Sequence, residues 1–592
     1  MSEASDASQQ SIESSETVTS AELPSVADIN TVEEQREFLE KLERAGLGTR
    51  LKGYLALSGP GWLQSAITLG GGSLASSLYL GVLAGFSLLW LQPFAMILGI
   101  VMLSTIGYVT LSTGKKPFQA INEHVNPVLG WGWALSAAAA NIVWCLPQYS
   151  LANAVLSQNL LPGVLGGEGS LNAGLPEGTW MASNASKLVV SVSILVISTI
   201  ITWSYDRGGR GLVIYERILK VLVGSIVLSF AGVVIVLGTT GGLDWSAVVA
   251  GLLPDFSKFA RPAATFQPLL DAIDGPARDF WSSVIVAQQQ DVIISAAATA
   301  VGINMTFLFP YSLLRKKWSR EHRGFLVFDL STGMFIPYVL ATGFVVIAAG
   351  SQFHTKPGSG FEFTETDVVV PNNPGFAKDF DRLLTARRSA DLDGTEISLP
   401  EKKLAATLVS RDAMQLAQAL EPLTNRFVAD IVFGFGVLAM ALSTITILML
   451  ISGFVICEML AMPFGGWTHR MGTLVAGIGG AFGPFIWNKA AFYLAVPTSV
   501  FGFVLLPFAY VTFLLLLNQK SLMGDDAPRG FKGLVWNVVA GSAAMIATVG
   551  SVYMVWTKTG PVGIAAVGGF VLLAWLVGMN RKNTIRYADS AD

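Results

Sequence analysis

The stretch LSGPGWLQSAITLGGGSLASSLYLGVL, Leu57 to Leu83, carries no charged residue and exceeds the roughly 20 residues that a helix needs to cross a hydrocarbon layer. Gly70, Gly71 and Gly72 fall about halfway along it, and three adjacent glycines cost about 2 to 3 kcal/mol of helix propensity relative to alanine. Hydroxyls at Thr68 and Ser73 flank the triplet. An apolar span with a weak centre reads as a helix broken at mid-membrane, where exposed backbone groups persist because they line a cavity. Close packing through small residues is the plainer alternative.

A second span has the same character. SAAATAVGINMTFLFPYSLL, Ser295 to Leu314, places Gly302, Asn304 and Thr306 at mid-depth and Pro310 one turn later. Proline removes a backbone donor and disturbs the preceding turn. An amide at that depth needs a partner or a hydrated cavity, so Asn304 is the leading ligand candidate of this span, with an interhelical hydrogen bond as its structural alternative.

The rest of the chain fits a polytopic membrane protein. Of 592 residues, 52% are hydrophobic and 13% charged, and no Asp, Glu, Lys, Arg or His occurs from Gly53 to Gly114 or from Trp131 to Gly167. Twelve spans are predicted, near 54–83, 86–111, 128–160, 187–204, 213–238, 290–314, 325–350, 427–460, 471–487, 495–517, 533–556 and 560–579. Basic residues then gather on one side: Arg44, Arg50, Lys52, Lys115, Lys116, Arg207, Arg210, the Arg315–Arg323 cluster, Arg470, Lys520, Arg529, Lys532, Arg581, Lys582 and Arg586. By the positive-inside rule both termini are cytoplasmic in a cell membrane.

Residues 1–30 read as a disordered acidic tail, and 31–52 as an amphipathic juxtamembrane segment lying on the membrane or in solvent. Residues 53–351 hold helices 1–7 with an outer insertion at 241–290; 352–425 form an extracytoplasmic loop or small subdomain; 426–580 hold helices 8–12; 581–592 are a cytoplasmic C-terminus. Cys145 and Cys457 lie in apolar runs as buried thiols. Asn184-Ala185-Ser186 matches a glycosylation acceptor of little weight. A net charge of -3 and the lack of a basic, aromatic-interleaved surface exclude a nucleic-acid partner. The partners implied are the lipid bilayer and a small-molecule or ion substrate, with oligomeric state left open. There is no catalytic constellation, no cofactor motif and no metal-ligand set.

The segment from Gly59 to Trp90, GPGWLQSAITLGGGSLASSLYLGVLAGFSLLW, resembles the first helix and a half of the Nramp metal-transporter family. STGKKPFQAINEH (Ser112–His124), the span from Leu420 to Leu460, and LLPFAYVTFLLLLNQKSLMGD (Leu505–Asp525) extend the resemblance over nearly all of the membrane domain. It implies an all-α integral membrane fold, the LeuT-like five-plus-five inverted repeat with discontinuous helices 1 and 6 and two additional helices. Family members import divalent transition metals with protons, and their ligands come from two motifs. Where the family has Asp-Pro-Gly-Asn, this chain has Gly70, Gly71, Gly72 and Ser73; where it has Met-Pro-His, the ungapped register gives Asn304, Met305 and Thr306. Met305 then takes the proline position and points elsewhere. The proton-carrying acids of helix 3 align with Ala140, Pro147 and Ser150, and the glutamine of helix 10 with Ser499.

A dehydrated divalent cation needs anionic or several strong neutral ligands. The aligned positions offer backbone groups, the hydroxyls of Thr68, Ser73, Thr306 and Ser499, and the Asn304 amide. The substrate-binding candidates are therefore Thr68, Gly70, Gly71, Gly72, Ser73, Gly302, Asn304, Met305, Thr306 and Ser499. The positive ends of the half-helices beginning near Gly72 and Thr306 favour an anionic or dipolar solute. The first reading is a secondary transporter for a neutral or anionic small solute, not proton-coupled by the family route. The alternatives are a carrier of a hydrated divalent cation such as magnesium and a non-transporting membrane receptor. Glu216 and Lys220, one turn apart, are expected to pair; Asp329 and Glu458 are expected to anchor or pair; His124 and His322 are expected to be exposed.

Overall fold

The computed structural model describes residues 32–167, 169–173, 175–176, 178–206, 209–239, 241–371, 374–390, 396–411, 415, 431–486 and 495–589. The tail at 1–30, Asp391, Asp393, the continuation of the 404–420 helical pattern past Gln415, and the chain end beyond 589 lie outside them.

Helices α1 (Val32–Arg44) and α2 (Leu47–Leu57) lead into α3 (Pro60–Thr68) and α4 (Gly71–Ala84). They are followed by α5 (Leu91–Thr113), α6 (Pro117–His124), α7 (Pro127–Val155), α8 (Pro162–Leu165), α9 (Trp180–Asp206) and α10 (Gly209–Thr239). Short α11 (Trp245–Ala250) and α12 (Gln267–Asp271) precede α13 (Gly275–Ala300), α14 (Ile303–Arg315), α15 (Arg323–Leu330) and α16 (Ile336–Phe353). A two-stranded antiparallel ribbon, β1 (Glu362–Phe363) and β2 (Val368–Val369), precedes α17 (Pro374–Ser389) and α18 (Leu399–Leu408). The chain closes with α19 (Phe433–Met459), α20 (Trp467–Ala481), α21 (Gly483–Ile486), α22 (Ala495–Leu517), α23 (Lys520–Met523) and α24 (Gly530–Asp589).

Among the described residues nine elements are long and apolar enough to cross a bilayer, or ten if α3 and α4, which meet at 56°, form one broken span. Twelve spans were expected, and two features account for the difference. The element at the ninth expected span, α20, has 15 residues, short for a crossing. The last two expected spans are joined as α24, which turns at Gly560 with φ 62°. Trp536 packs on Tyr108, and Ala574 accepts a hydrogen bond from Asn126, so both arms of α24 return to the end where α7 begins. The turn itself sits at the other end, where Lys558 meets Asp291 at 2.6 Å. The two arms are thus antiparallel.

The two interrupted elements meet in the interior: α4 packs on α13 and α16, while α3 packs on α14, α10 and α19. At one end of the bundle Lys116 pairs with Glu458 at 2.8 Å, Arg320 and Arg323 converge on Asp526, and Lys316 pairs with Glu216 at 3.0 Å. This is the basic end. In the expected Glu216–Lys220 pair the direct contacts are tertiary: Lys220 Nζ donates to the Ser58 carbonyl at 3.0 Å, and Lys316 meets Glu216 at 3.0 Å. His322 is buried at 1% exposure and stacks on Trp318, a correction to its expected exposure. The apolar side of α1 is covered by protein: Phe38, Leu39 and Leu42 are buried, and Leu42 fills the space over Gly53.

At the opposite end, the described residues of 353–371, 374–390 and 396–411 form a cap on the ends of α4 and α13. Glu401 accepts from Arg387 at 2.6 Å and from the Trp281 indole at 3.1 Å, and Tyr79 donates to the Arg411 carbonyl at 2.5 Å. Asn184, the acceptor of the glycosylation pattern, is buried and donates to the Trp180 carbonyl. Cys145 and Cys457 are buried free thiols.

Candidate functional site

The chain leaves helical geometry between α3 and α4 at Leu69 (φ -83°, ψ 62°) and Gly70, where three adjacent glycines weaken the helix. Leu69 ends α3 with its N–H on the Ser65 carbonyl, and Gly70 is extended at φ -114°, ψ -177°. Ser73 staples the break: its Oγ lies 2.5 Å from the Thr68 carbonyl and 2.8 Å from the Gly70 carbonyl, and accepts the Gly70 N–H at 3.1 Å. This hydroxyl is held by backbone on both sides of the gap.

A helix start leaves N–H groups without intrahelical partners. At α4 the Gly71 N–H is taken by Oε1 of Gln148, a buried residue of α7, at 2.8 Å. The second break falls at Val301 and Gly302, both extended. Here the Met305 N–H is shared between the Gly302 carbonyl and Asn304 Oδ1, each at 3.0 Å, and the Gly302 N–H points at Met305 Sδ at 3.3 Å. Both helix starts are thus neutralised by uncharged acceptors.

Several of the expected site residues converge. Thr68 Oγ1 donates to the Gln64 carbonyl at 2.8 Å and lies 3.4 Å from Met305 Sδ, joining the two breaks. The expectation that Met305 points elsewhere is therefore corrected: α14 begins afresh at Ile303, and its first turn carries the thioether toward α3. Ser499 of α22 lies against Gly72, where a Cβ would come within 3.0 Å of its Oγ. Asn304 is fully buried, and its Nδ2 makes no hydrogen bond. Thr306 stands apart, its hydroxyl donating to the Ile303 carbonyl at 2.5 Å and accepting from the Trp133 indole at 3.0 Å.

Four further residues complete the surroundings and were not anticipated. Gln148 caps α4; Thr444 of α19 occupies the space beside Gly70; Trp144 of α7 lies over Gly302 and donates to the Thr498 carbonyl at 2.7 Å; Gln64 is buried with both ends of its amide unpartnered. Gln148 and Gln64 were visible as amides within uncharged runs, the signal used for Asn304, whereas nothing in sequence marked Thr444 or Trp144. Ser65 and Thr444 hydroxyls are likewise buried without partners.

The aligned positions on α7, Ala140, Pro147 and Ser150, contribute no titratable group. No cluster of three or more His, Cys, Asp or Glu side chains that could hold a metal ion occurs among the described residues. The nearest acidic feature along α3 is at its far end, where Asp329 accepts from Ser58 Oγ at 2.5 Å and from the N–H groups of Gly59 and Gly61 at 2.9 and 2.7 Å.

Comparison with known proteins places this geometry. The profile described as natural resistance-associated macrophage protein-like, Nramp, matches residues 61–368 and 402–557. Among solved structures, the fold is similar to the Eremococcus coleocola manganese transporter, at 14% identity over 90% of this chain and 96% of that one. The TM-score is 0.57 for a point mutant and 0.58 for the complex with an aromatic bis-isothiourea substituted compound. No curated protein matches the sequence. The chain belongs to the Nramp family, as a multi-pass membrane transporter with the LeuT-like fold and not an enzyme.

Proposed function

We propose that this Nramp transporter moves a neutral or anionic small solute by alternating access through the chamber at the two breaks, its transition-metal site having been lost. The observation that carries this reading is the pair of amide caps. Gln148 Oε1 faces the Gly71 N–H and Asn304 Oδ1 faces the Met305 N–H, so beyond these bonds each side chain keeps its two N–H donors and one oxygen lone pair. The hydroxyls of Ser65 and Thr444 and the Gln64 amide, unpartnered at both its oxygen and its nitrogen, add uncharged groups that can donate to such a solute. Such a lining complements a carboxylate, an oxyanion or a carbonyl, and offers a bare cation little compensation for lost hydration.

Thr68, Gly70, Gly71, Gly72, Ser73, Gly302, Asn304, Met305, Thr306 and Ser499 are the proposed lining, with Ser73 and Thr306 holding backbone and Gln148 added. Coupling does not run through the family's helix-3 acids, since Ala140, Pro147 and Ser150 cannot titrate. The basic end faces the cytoplasm, together with both termini.

A divalent cation is the second reading. Family membership favours it, and so does one observation: the Met305 thioether lies 3.4 Å from Thr68 Oγ1, at the junction where a soft ligand would be wanted. Calorimetry with manganese on the purified protein separates the two, alongside uptake of small carboxylates and oxyanions into proteoliposomes. The first reading expects saturable anion or neutral-solute uptake and no manganese heat. Micromolar manganese binding overturns it.

A further inference from the structure

Away from the breaks, a cavity of about 380 Å³ opens between the ends of α7 and α9 and the loop residues Leu165, Gly166, Gly167 and Asn172, at the end opposite the basic one. Its wall includes Ser150 and Asn153 of α7, Asn172 of the loop, and Ala182 and Lys187 of α9. The α7 helix widens into a π-turn at Leu156–Leu160 just above these positions. The loop wall is built, not incidental: Asn172 Nδ2 donates to the Gly166 carbonyl at 2.9 Å and to Ser186 Oγ at 3.0 Å.

Lys187 decides what this cavity suits. It stands two turns inside the apolar span Trp180–Tyr205, and its Nζ meets Asn184 Oδ1 at 3.1 Å, a neutral acceptor. Among the described residues no carboxylate pairs with it; Glu168 and Glu177 lie outside them. A half-buried ammonium that faces a cavity from within an apolar span attracts an anion. Across the same cavity Asn153 Oδ1 is buried and accepts no hydrogen bond. One cationic donor and one unused acceptor complement an anionic group that also carries a hydroxyl. Next to the wall residues along the chain, Leu161, Val164, Trp180 and Met181 are exposed apolar side chains.

We propose that this cavity is a second binding site, independent of the chamber at the breaks, for a phosphate that bears hydroxyl groups. Lys187 neutralises the phosphate and Asn153 accepts from a hydroxyl. The ligand arrives either as a free glycerophosphate-like solute or as the headgroup of an anionic lipid whose chains lie along those apolar side chains.

The test uses the full chain in phosphatidylcholine nanodiscs, with glycerol 1-phosphate as the soluble probe and phosphatidylglycerol as the lipid probe, read by thermal shift and native mass spectrometry. Wild type should bind at least one probe saturably, and Lys187→Met should weaken it by roughly tenfold or more, the loss of one charge-assisted contact. Lys187→Arg should retain binding. Ala182→Phe, which fills the cavity and leaves the lysine in place, should block it without lowering the unliganded melting temperature. Binding of the lipid alone assigns the headgroup, and binding of glycerol 1-phosphate assigns a free solute. Wild type that binds neither probe overturns the proposal, as does Lys187→Met binding as well as wild type.

Discussion

Asp329 Oδ2 accepts the backbone N–H of Gly61 at 2.7 Å, tying the end of α15 to the start of α3 across 268 positions of sequence. The same carboxylate takes Ser58 Oγ and the Gly59 N–H, so one side chain caps the basic end of the broken span. Lys220, Lys316 and Glu216 surround it, with Lys220 on the Ser58 carbonyl and Lys316 near Gly59. An α3 that moves during alternating access has to leave this clamp. Asp329→Ala strands two buried N–H groups at about 1 to 3 kcal/mol each. Hydrogen exchange of residues 47–68 should rise in that variant more than exchange elsewhere in the bundle. Unchanged protection of α3 would mean that packing, not Asp329, holds it.

Gln148 supplies the next expectation. Gln148→Leu leaves the Gly71 N–H unpaired, and the melting temperature should fall by the equivalent of about 1 to 3 kcal/mol. Gln148→Glu keeps the bond and strengthens it at a helix N-terminus, while placing a negative charge among uncharged groups. Under the proposed function the glutamate variant should lose anion uptake and gain measurable manganese heat in calorimetry. Anion uptake at the wild-type rate would show that the solute does not approach α4.

The breaks could be read in sequence because they are local. Three glycines, or a Val-Gly pair before an asparagine, weaken helix whatever surrounds them. What the breaks face is not local. Gln148 meets Gly71 from 77 positions away, and its role depends on how α7 is rotated against α4. Met305 was misjudged for a related reason. An ungapped alignment carries a continuous helical register through Gly302, but α14 restarts there, and the thioether follows the new helix toward Thr68. Depth alone singled out Thr306, and the Trp133 indole that its oxygen accepts from is 173 positions away in sequence. The contacts of Lys220 with the Ser58 carbonyl at the end of α2, and of Lys316 with the Glu216 carboxylate, are likewise tertiary.

The cap should respond to acid through Glu401. Burial raises its pKa, but the Ser398 N–H, the Trp281 indole and Arg387 together outweigh burial and leave it below the ordinary 4.5. A depressed folded value means that the stabilisation is complete above the ordinary carboxylate range and is lost as pH falls through the folded value. Exchange protection of α17 and α18 in the full chain should therefore stay flat down to about pH 4.5 and drop below it. Glu401→Gln should flatten that drop. Arg387→Met, which leaves a buried carboxylate without its cation, should loosen the cap at neutral pH by about 3 to 5 kcal/mol. Cap protection that declines already near pH 6 would assign the acid response to another group.

Restoring the family's carboxylate at Gly70 meets an obstacle in α19. The backbone there is extended, so an L-residue is allowed, but a Cβ would stand 2.3 Å from Thr444 Oγ1. Gly70→Asp alone should lower the melting temperature and bind no manganese. Adding Thr444→Ala removes the clashing oxygen; the next contacts, at 3.2 Å to the Ile67 carbonyl and Thr444 Cβ, are tight but tolerable. Stability should recover in that double variant. Adding Asn304→Met then supplies the thioether, and the triple variant should bind manganese where wild type does not, because a carboxylate and a sulfur would replace an amide cap and an empty glycine. A folded triple variant without manganese heat would show that Gly70 and Asn304 do not occupy the positions of the family's ligands. Tight binding by Gly70→Asp alone would show instead that Thr444 gives way without mutation.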